Sequence, residues 1–153
     1  MKLMKTIETE ILIESGPEQV WARLIDFERY SEWNPFIRHI VGEPEPGSRL
    51  TIRIHPPEGK VMTFQPRVRV VHPGKELRWL GHFGIRGLFD GEHIFRIETN
   101  GDAHVRFLHS EHFRGVLVSL IPNSLFEKTR RGFEQMNQAL KREVEIASLA
   151  RRT

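Results

Sequence analysis

Apolar positions follow two different periods along the chain, and the changes of period mark out its elements. Ile7, Ile11 and Ile13 share one parity with Thr9 between them, while acidic residues take the other, as in a half-buried strand. Ser15-Gly16-Pro17-Glu18 interrupts this alternation, and its Ser-x-x-Glu spacing with proline in the first turn predicts a capping box and a helix. Val20, Trp21, Leu24 and Ile25 then recur at helical spacing, which gives a short helix with one apolar face. Residues 26–35 read as a second short helix or a turn, closed by Pro35.

Period two returns over 37–41, 49–55, 61–71, 76–83, 89–98 and 103–113, separated by the turn-forming stretches GEPEPGS, PPEG, HPGK, GIRG and NGD. Short turns predict an antiparallel meander, and the first strand brings the expected total to seven. Behind Pro122 and Asn123, Ser124 and Glu127 repeat the capping spacing. Phe126, Thr129, Phe133, Met136, Leu140, Val144 and Ala147 then form one stripe, predicting a helix of roughly 20 to 25 residues. The predicted class is α+β: a curved sheet around a long C-terminal helix, with two short helices after the first strand. A twisted sheet crossed by one helix leaves interior space, so the order of elements implies an apolar cavity.

Length and composition narrow the classes. A chain of 153 residues suits one domain over 1–153, with its core at 6–143 and a loose C-terminal tail. The absence of cysteine excludes disulfides, thiolate zinc and thiol nucleophiles. The isoelectric point near 9.6 suggests nucleic-acid binding, but 23 basic residues oppose 20 acidic ones. With a single tyrosine and no cysteine, little titrates between neutrality and the lysines, so a small excess persists to high pH. No basic face interleaved with aromatics is present, and nucleic acid is not an expected partner. Glu8, Glu10 and Glu14 interrupt any signal-peptide core, and the run at 116–121 is too short to span a bilayer. A soluble, cytoplasmic protein without integral membrane association is expected, as a monomer or weak homodimer.

The pattern Pro17-Glu18-x-Val20-Trp21-x-x-Leu24-x-Asp26-Phe27-x-x-Tyr30-x-x-Trp33-Asn34-Pro35-Phe36 resembles the SRPBCC superfamily, also called START-like or polyketide cyclase/dehydrase-like. His109-x-Glu111-x-Phe113-x-Gly115 and the final helix at 128–140 extend the resemblance over about residues 6–143. It implies a helix-grip fold enclosing a deep hydrophobic cavity, a fold used by lipid-transfer domains, plant hormone receptors, pollen allergens and aromatic cyclases. Fold alone does not choose among these functions.

In 103–113 the odd positions Val105, Phe107, His109, Glu111 and Phe113 share the face expected to point inward, and His104, Arg106, Ser110 and His112 share the other. In 89–98, Phe89, His93, Phe95 and Ile97 lie together. Pairing through the NGD turn would bring His93, His109 and Glu111 to one cavity. These three satisfy one another or anchor a ligand's polar end; alternatively they carry protons in a cyclisation. Metal binding needs three ligands of definite geometry and only an i,i+2 pair is local, so neither metal nor cofactor is expected. Trp33 and Phe36 form either a pocket mouth or plain core, Trp79 either lining or core. Phe126, Phe133 and Met136 face the sheet as core and pocket roof. GHFGIRGLFDG lacks the Lys-Ser/Thr of a phosphate loop; flanked by Phe83 and Phe89, it is either a gate for the cavity or an ordinary hairpin. The expectation is a binder of a hydrophobic or amphipathic small molecule, lipid-like or polyketide-like. The alternatives are a cyclase/dehydratase-like enzyme using His93, His109 and Glu111, and a protein-interaction module.

Overall fold

The computed structural model describes residues 4–82, 87–101 and 103–152. The strand β1 (Met4–Ile13) leads into α1 (Pro17–Ile25), a 3-10 turn (Phe27–Arg29) and α2 (Tyr30–Trp33). Seven strands follow: β2 (Ile37–Val41), β3 (Thr51–Ile54), β4 (Met62–Phe64), β5 (Arg67–His72), β6 (Glu76–His82), β7 (Asp90–Thr99) and β8 (Val105–Arg114). A second 3-10 turn (Val118–Leu120) precedes α3 (Asn123–Arg152). The strands form a five-stranded sheet in the order β1-β8-β7-β6-β5 and a three-stranded sheet in the order β2-β3-β4, with antiparallel pairing throughout.

The seven strands expected are therefore eight, in two sheets. The difference arises at Gln65-Pro66, inside the segment 61–71 that reads as one strand. Proline has no N–H for the ladder, so β4 ends at Phe64 and β5 restarts at Arg67. At this break the two sheets are tied together: Leu50 N donates to Pro66 O at 2.8 Å, Val68 N to Ser48 O at 2.9 Å and Gly47 N to Val68 O at 2.8 Å.

The expected capping boxes are not formed. Gly16, in extended conformation, caps α1 without a side-chain hydrogen bond, and Ser15 Oγ instead meets Ser148 Oγ at 3.1 Å. Ser124 lies inside α3, which begins at Asn123. That helix is 30 residues long rather than 20 to 25. Its last turns are anchored on β1 and the β1–α1 connection: Lys141 Nζ donates to Leu12 O at 3.1 Å and Glu14 N to Glu145 Oε1 at 2.9 Å. Propensity and periodicity do not show those contacts, which come from tertiary packing.

Phe126, Phe133, Met136, Leu140 and Val144 are the buried stripe of α3. They form one core with Ile7 and Ile13 of β1, Phe95 and Ile97 of β7, and Val105 and Phe107 of β8. The outer face of the large sheet carries charge, with Arg78 bonded to Glu76 at 2.8 Å and Glu92 at 3.2 Å. Tyr30 is fully buried and donates from its hydroxyl to Leu24 O at 2.5 Å. Burial, with Asp26 nearby, pushes its phenol far above the ordinary range, so it serves as a structural tie between α1 and α2.

At Gly132 of α3, an added Cβ would lie 2.3 Å from the Phe36 ring, and that ring packs edge-on against Phe133 at 5.5 Å. Helix propensity favours alanine over glycine by about 1 kcal/mol, whereas forcing a methyl into a packed core costs about 1–3 kcal/mol. Gly132→Ala is therefore expected to destabilise the protein in chemical denaturation. A rise in stability would show that Phe36 is not held against the helix.

Candidate functional site

The interior surface of the large sheet carries a line of polar side chains that connects α3 to a cleft. Register brings them together: His93 pairs with Trp79 on one side and Glu111 on the other, and His109 pairs with Phe95 and Thr9. His109 is completely buried. Its ring stacks on Phe133 with centroids 4.0 Å apart and planes 7° from parallel. Both of its nitrogens are engaged, Nε2 with His93 Nε2 at 2.7 Å and Nδ1 with Asn137 Oδ1 at 2.9 Å. Asn137 Nδ2 donates to Thr9 Oγ1 at 2.9 Å, and Thr9 Oγ1 donates to the His109 carbonyl at 2.8 Å. His93 Nδ1 lies 3.7 Å from Glu111 Oε2, in ion-pair range but beyond a direct hydrogen bond.

Burial holds the His109 imidazole well below its ordinary pKa, reinforced by the charge of His93 and only partly offset by the hydrogen bond to Asn137. His109 is therefore neutral near pH 7, enclosed behind His93.

The cleft lies between the two sheets. Phe36, Ile37, Ile52, Ile54 and Phe64 line one side; Pro66 stands at the joint; Trp79, Gly81, Gly91, His93 and Glu111 line the other. Trp79 stacks on His93 with ring centroids 5.0 Å apart, and both line the cleft. Gly81 and Gly91 are direct cross-strand partners on the inner face. Two adjacent missing side chains leave the space in front of Glu111, and a Cβ on Gly91 would stand 2.9 Å from Glu111 Oε1. Counting its open mouth, the cleft holds about 430 Å³ of empty space, of which about 40 Å³ is room for water-sized groups.

The expected site residues separate into groups. Phe36, Trp79, His93 and Glu111 meet at the cleft. His109 does not line it, because His93 and Phe133 cover it. Phe95, Phe107 and Phe133 are wholly buried around His109, and Met136 is wholly buried in the core. Phe89 stacks on Phe113 with ring centroids 5.5 Å apart, and Phe126 meets Phe113 edge-on at 5.2 Å. Trp33 packs on Tyr30 at 5.1 Å. Phe83, and with it the tip of the hairpin considered as a gate, lies outside the described residues. Among the described residues no group of three potential metal ligands comes together, and no helix is long and apolar enough to cross a membrane.

Thr9 and Asn137 complete the polar line and escape a search for conventional catalytic residue types. Thr9 is a polar residue set among the inward isoleucines of β1. Asn137, four residues after Phe133, is a polar residue beside the apolar stripe of α3. A polar side chain on a buried face must be paired, and that is the available signal.

A curved antiparallel sheet wrapped on a long terminal helix, with short helices after the first strand, is the helix-grip fold of START-like proteins. The chain belongs to the polyketide cyclase/dehydrase and lipid transport family, whose profile matches residues 4–145. A START superfamily protein from Mycobacterium smegmatis superposes with a TM-score of 0.74 at 18% identity, covering 93% of this chain and 98% of that one. The Zhui aromatase/cyclase from Streptomyces sp. R1128 also gives 0.74, at 15% identity, covering 93% and 94%. A third similar structure, a protein from Thermus thermophilus, again gives 0.74 at 15% identity, covering 94% and 99%. No curated protein sequence matches the chain. At these identities the similar structures establish the fold alone.

The depressed basicity of His109 fixes a pH dependence. The unfolded chain takes up a proton at this residue as pH falls through about 6.5 while the folded chain does not, so stability declines with falling pH. The His109 contribution is about 1.4 kcal/mol per pH unit between pH 6.5 and its much lower folded value. Urea unfolding of the wild type and His109→Gln at pH 7 and pH 5.5 measures it. The wild type is expected to lose more stability than the variant over this interval; equal losses would mean that His109 is protonated in the fold.

Proposed function

We propose that the protein binds a hydrophobic or amphipathic small molecule in the cleft between its two sheets, with the ligand's polar end at His93 and Glu111. The observation that carries this reading is the composition of the cleft. Its walls are apolar side chains drawn from both sheets, and its only ionisable lining residues among those described converge at one place. Family membership agrees with such a role and leaves the ligand open.

The room for water-sized groups in the cleft, about 40 Å³, holds only a few waters. A lipid-like or polyketide-like guest therefore enters by separating the sheets. Their hydrogen-bonded joint along 47–50 and 66–68 is a suitable hinge, because β4 ends at Phe64 and β5 restarts at Arg67 there. The free energy of opening is subtracted from the gain of burying the guest, so the fit favours ligands with substantial apolar surface.

A second reading is a cyclase- or dehydratase-like activity, favoured by one feature: His93 faces the cleft with a neighbouring carboxylate and is backed by the neutral His109. Substitution of His93 by Asn would then abolish turnover of a bound polyketide while leaving its binding within a few fold.

Gly81→Leu tests the binding reading directly. A Cβ at this position meets Pro66 Cβ at an ordinary 3.5 Å, so the variant should fold while its side chain occupies the cleft. Against a panel of fatty acids, fatty alcohols, phenols and aromatic polyketides, the wild type is expected to show thermal shifts that Gly81→Leu loses, with at least tenfold weaker titrations. Absence of any shift in the wild type, or equal binding by the filled variant, removes the proposal.

A further inference from the structure

The hydrogen bonds behind the cleft have a direction, which follows from groups with only one possible role. The His109 carbonyl can only accept, so the Thr9 hydroxyl proton is committed to it. Thr9 Oγ1 must then accept from its other neighbour, and Asn137 therefore turns its NH2 toward Thr9 and its carbonyl oxygen toward His109. That oxygen requires a proton on His109 Nδ1. A neutral His109 then presents a bare Nε2, so His93 must donate from Nε2. The remaining nitrogen, His93 Nδ1, faces Glu111 across 3.7 Å.

We propose that Thr9, Asn137 and His109 fix the orientation of His93 so that the cleft presents its Nδ1 beside the Glu111 carboxyl group, and that the cleft thereby selects ligands with an uncharged hydroxyl over carboxylates. This rests on the small-molecule reading above and names the head group. With the proton of the neutral ring on Nε2, His93 Nδ1 is bare and accepts a hydrogen bond, and the carboxyl oxygens of Glu111 accept beside it.

A hydroxyl brings the donor that these acceptors lack, and its oxygen can stand at about 2.8 Å from either atom of the 3.7 Å pair. A carboxylate only accepts and brings a charge. Among the described lining residues no lysine or arginine is available to it, and the sole imidazole is already opposed by Glu111. Its charge would be desolvated beside another carboxylate without compensation. The other groups packed on the His93 ring, Trp79, Phe95 and Phe133, do not titrate in this range and carry no charge.

Two measurements test the proposal. Long-range proton–nitrogen spectra of protein labelled with 15N-histidine should show His109 protonated on Nδ1 and bare on Nε2, with a proton on His93 Nε2. In Thr9→Val, which keeps the side-chain shape and removes the acceptor that orients Asn137, the His109 signals should shift toward the other tautomer. A wild-type His109 protonated on Nε2 overturns the chain of bonds, and that spectrum decides alone if the variant does not fold. The second measurement compares 2-naphthol with 2-naphthoate, which share a ring system and differ in head group, at neutral pH. The wild type is expected to bind 2-naphthol at least tenfold more tightly, and Glu111→Gln to narrow the ratio below threefold. Equal or tighter binding of 2-naphthoate to the wild type overturns the selectivity while the small-molecule reading stands. Failure of both probes to bind removes that reading and the selectivity with it.

Discussion

A buried imidazole must have both ring nitrogens paired, and the centre of this molecule is built around meeting that requirement at His109. Its partners come from three elements: Asn137 from α3, His93 from β7 and, through Asn137, Thr9 from β1. The apolar stripe of α3 could pack on a concave sheet in several rotations, because burial is nearly non-directional. Hydrogen bonds are not so tolerant. Rotating α3 by one residue would swing Asn137 through about 100°, leaving a buried donor and acceptor unpaired at a cost of roughly 1–3 kcal/mol each. The stack of His109 on Phe133 adds a second positional constraint on the same helix turn. The seating of the helix and the orientation of His93 are thus consequences of one arrangement.

The glycines show how the same absence of a side chain is used in two opposite ways. Opposite Gly132 the Phe36 ring fills the gap, so helix and sheet junction approach closely and no space results. At Gly91 the Glu111 carboxyl group and Phe113 approach, at Gly81 only Pro66 comes within ordinary contact, and the cleft is what remains in front of the pair. Placed beside Trp79 and His93, these two positions keep a small empty region next to Glu111. Phe36 takes part in both, since it packs on α3 and forms a wall of the cleft. Changes in the helix seating are therefore felt at the cleft through this one ring.

Much of this is legible in the residues. The alternation of Val105, Phe107, His109, Glu111 and Phe113 identifies the inward face of β8, because a half-buried strand imposes period two. The α3 stripe is equally readable. Three features are not. The division into two sheets depends on Pro66 accepting from Leu50, a contact between segments far apart in sequence, whereas 61–71 by itself alternates like a continuous strand. Ser15 reads as a cap because its true partner, Ser148, lies at the other end of the chain. The placement of His109 behind His93 rather than beside the cleft depends on which diagonal neighbours the strand twist brings together, a question that parity alone does not answer.

The two walls of the cleft differ in how firmly they are held. His93, Glu111 and Trp79 belong to the large sheet, which α3 clamps from inside and the outer ion pairs brace across β6 and β7. Ile52, Ile54 and Phe64 belong to a three-stranded sheet joined to the rest near 47–50 and 66–68. Polar recognition needs fixed geometry, because a hydrogen bond weakens steeply with misalignment. Apolar contact tolerates displacement, since it depends on area removed from water rather than on angle. Under the proposed binding mode, with the polar groups on the braced wall and only apolar residues on the other, the cleft would change its width without losing the alignment of His93 and Glu111.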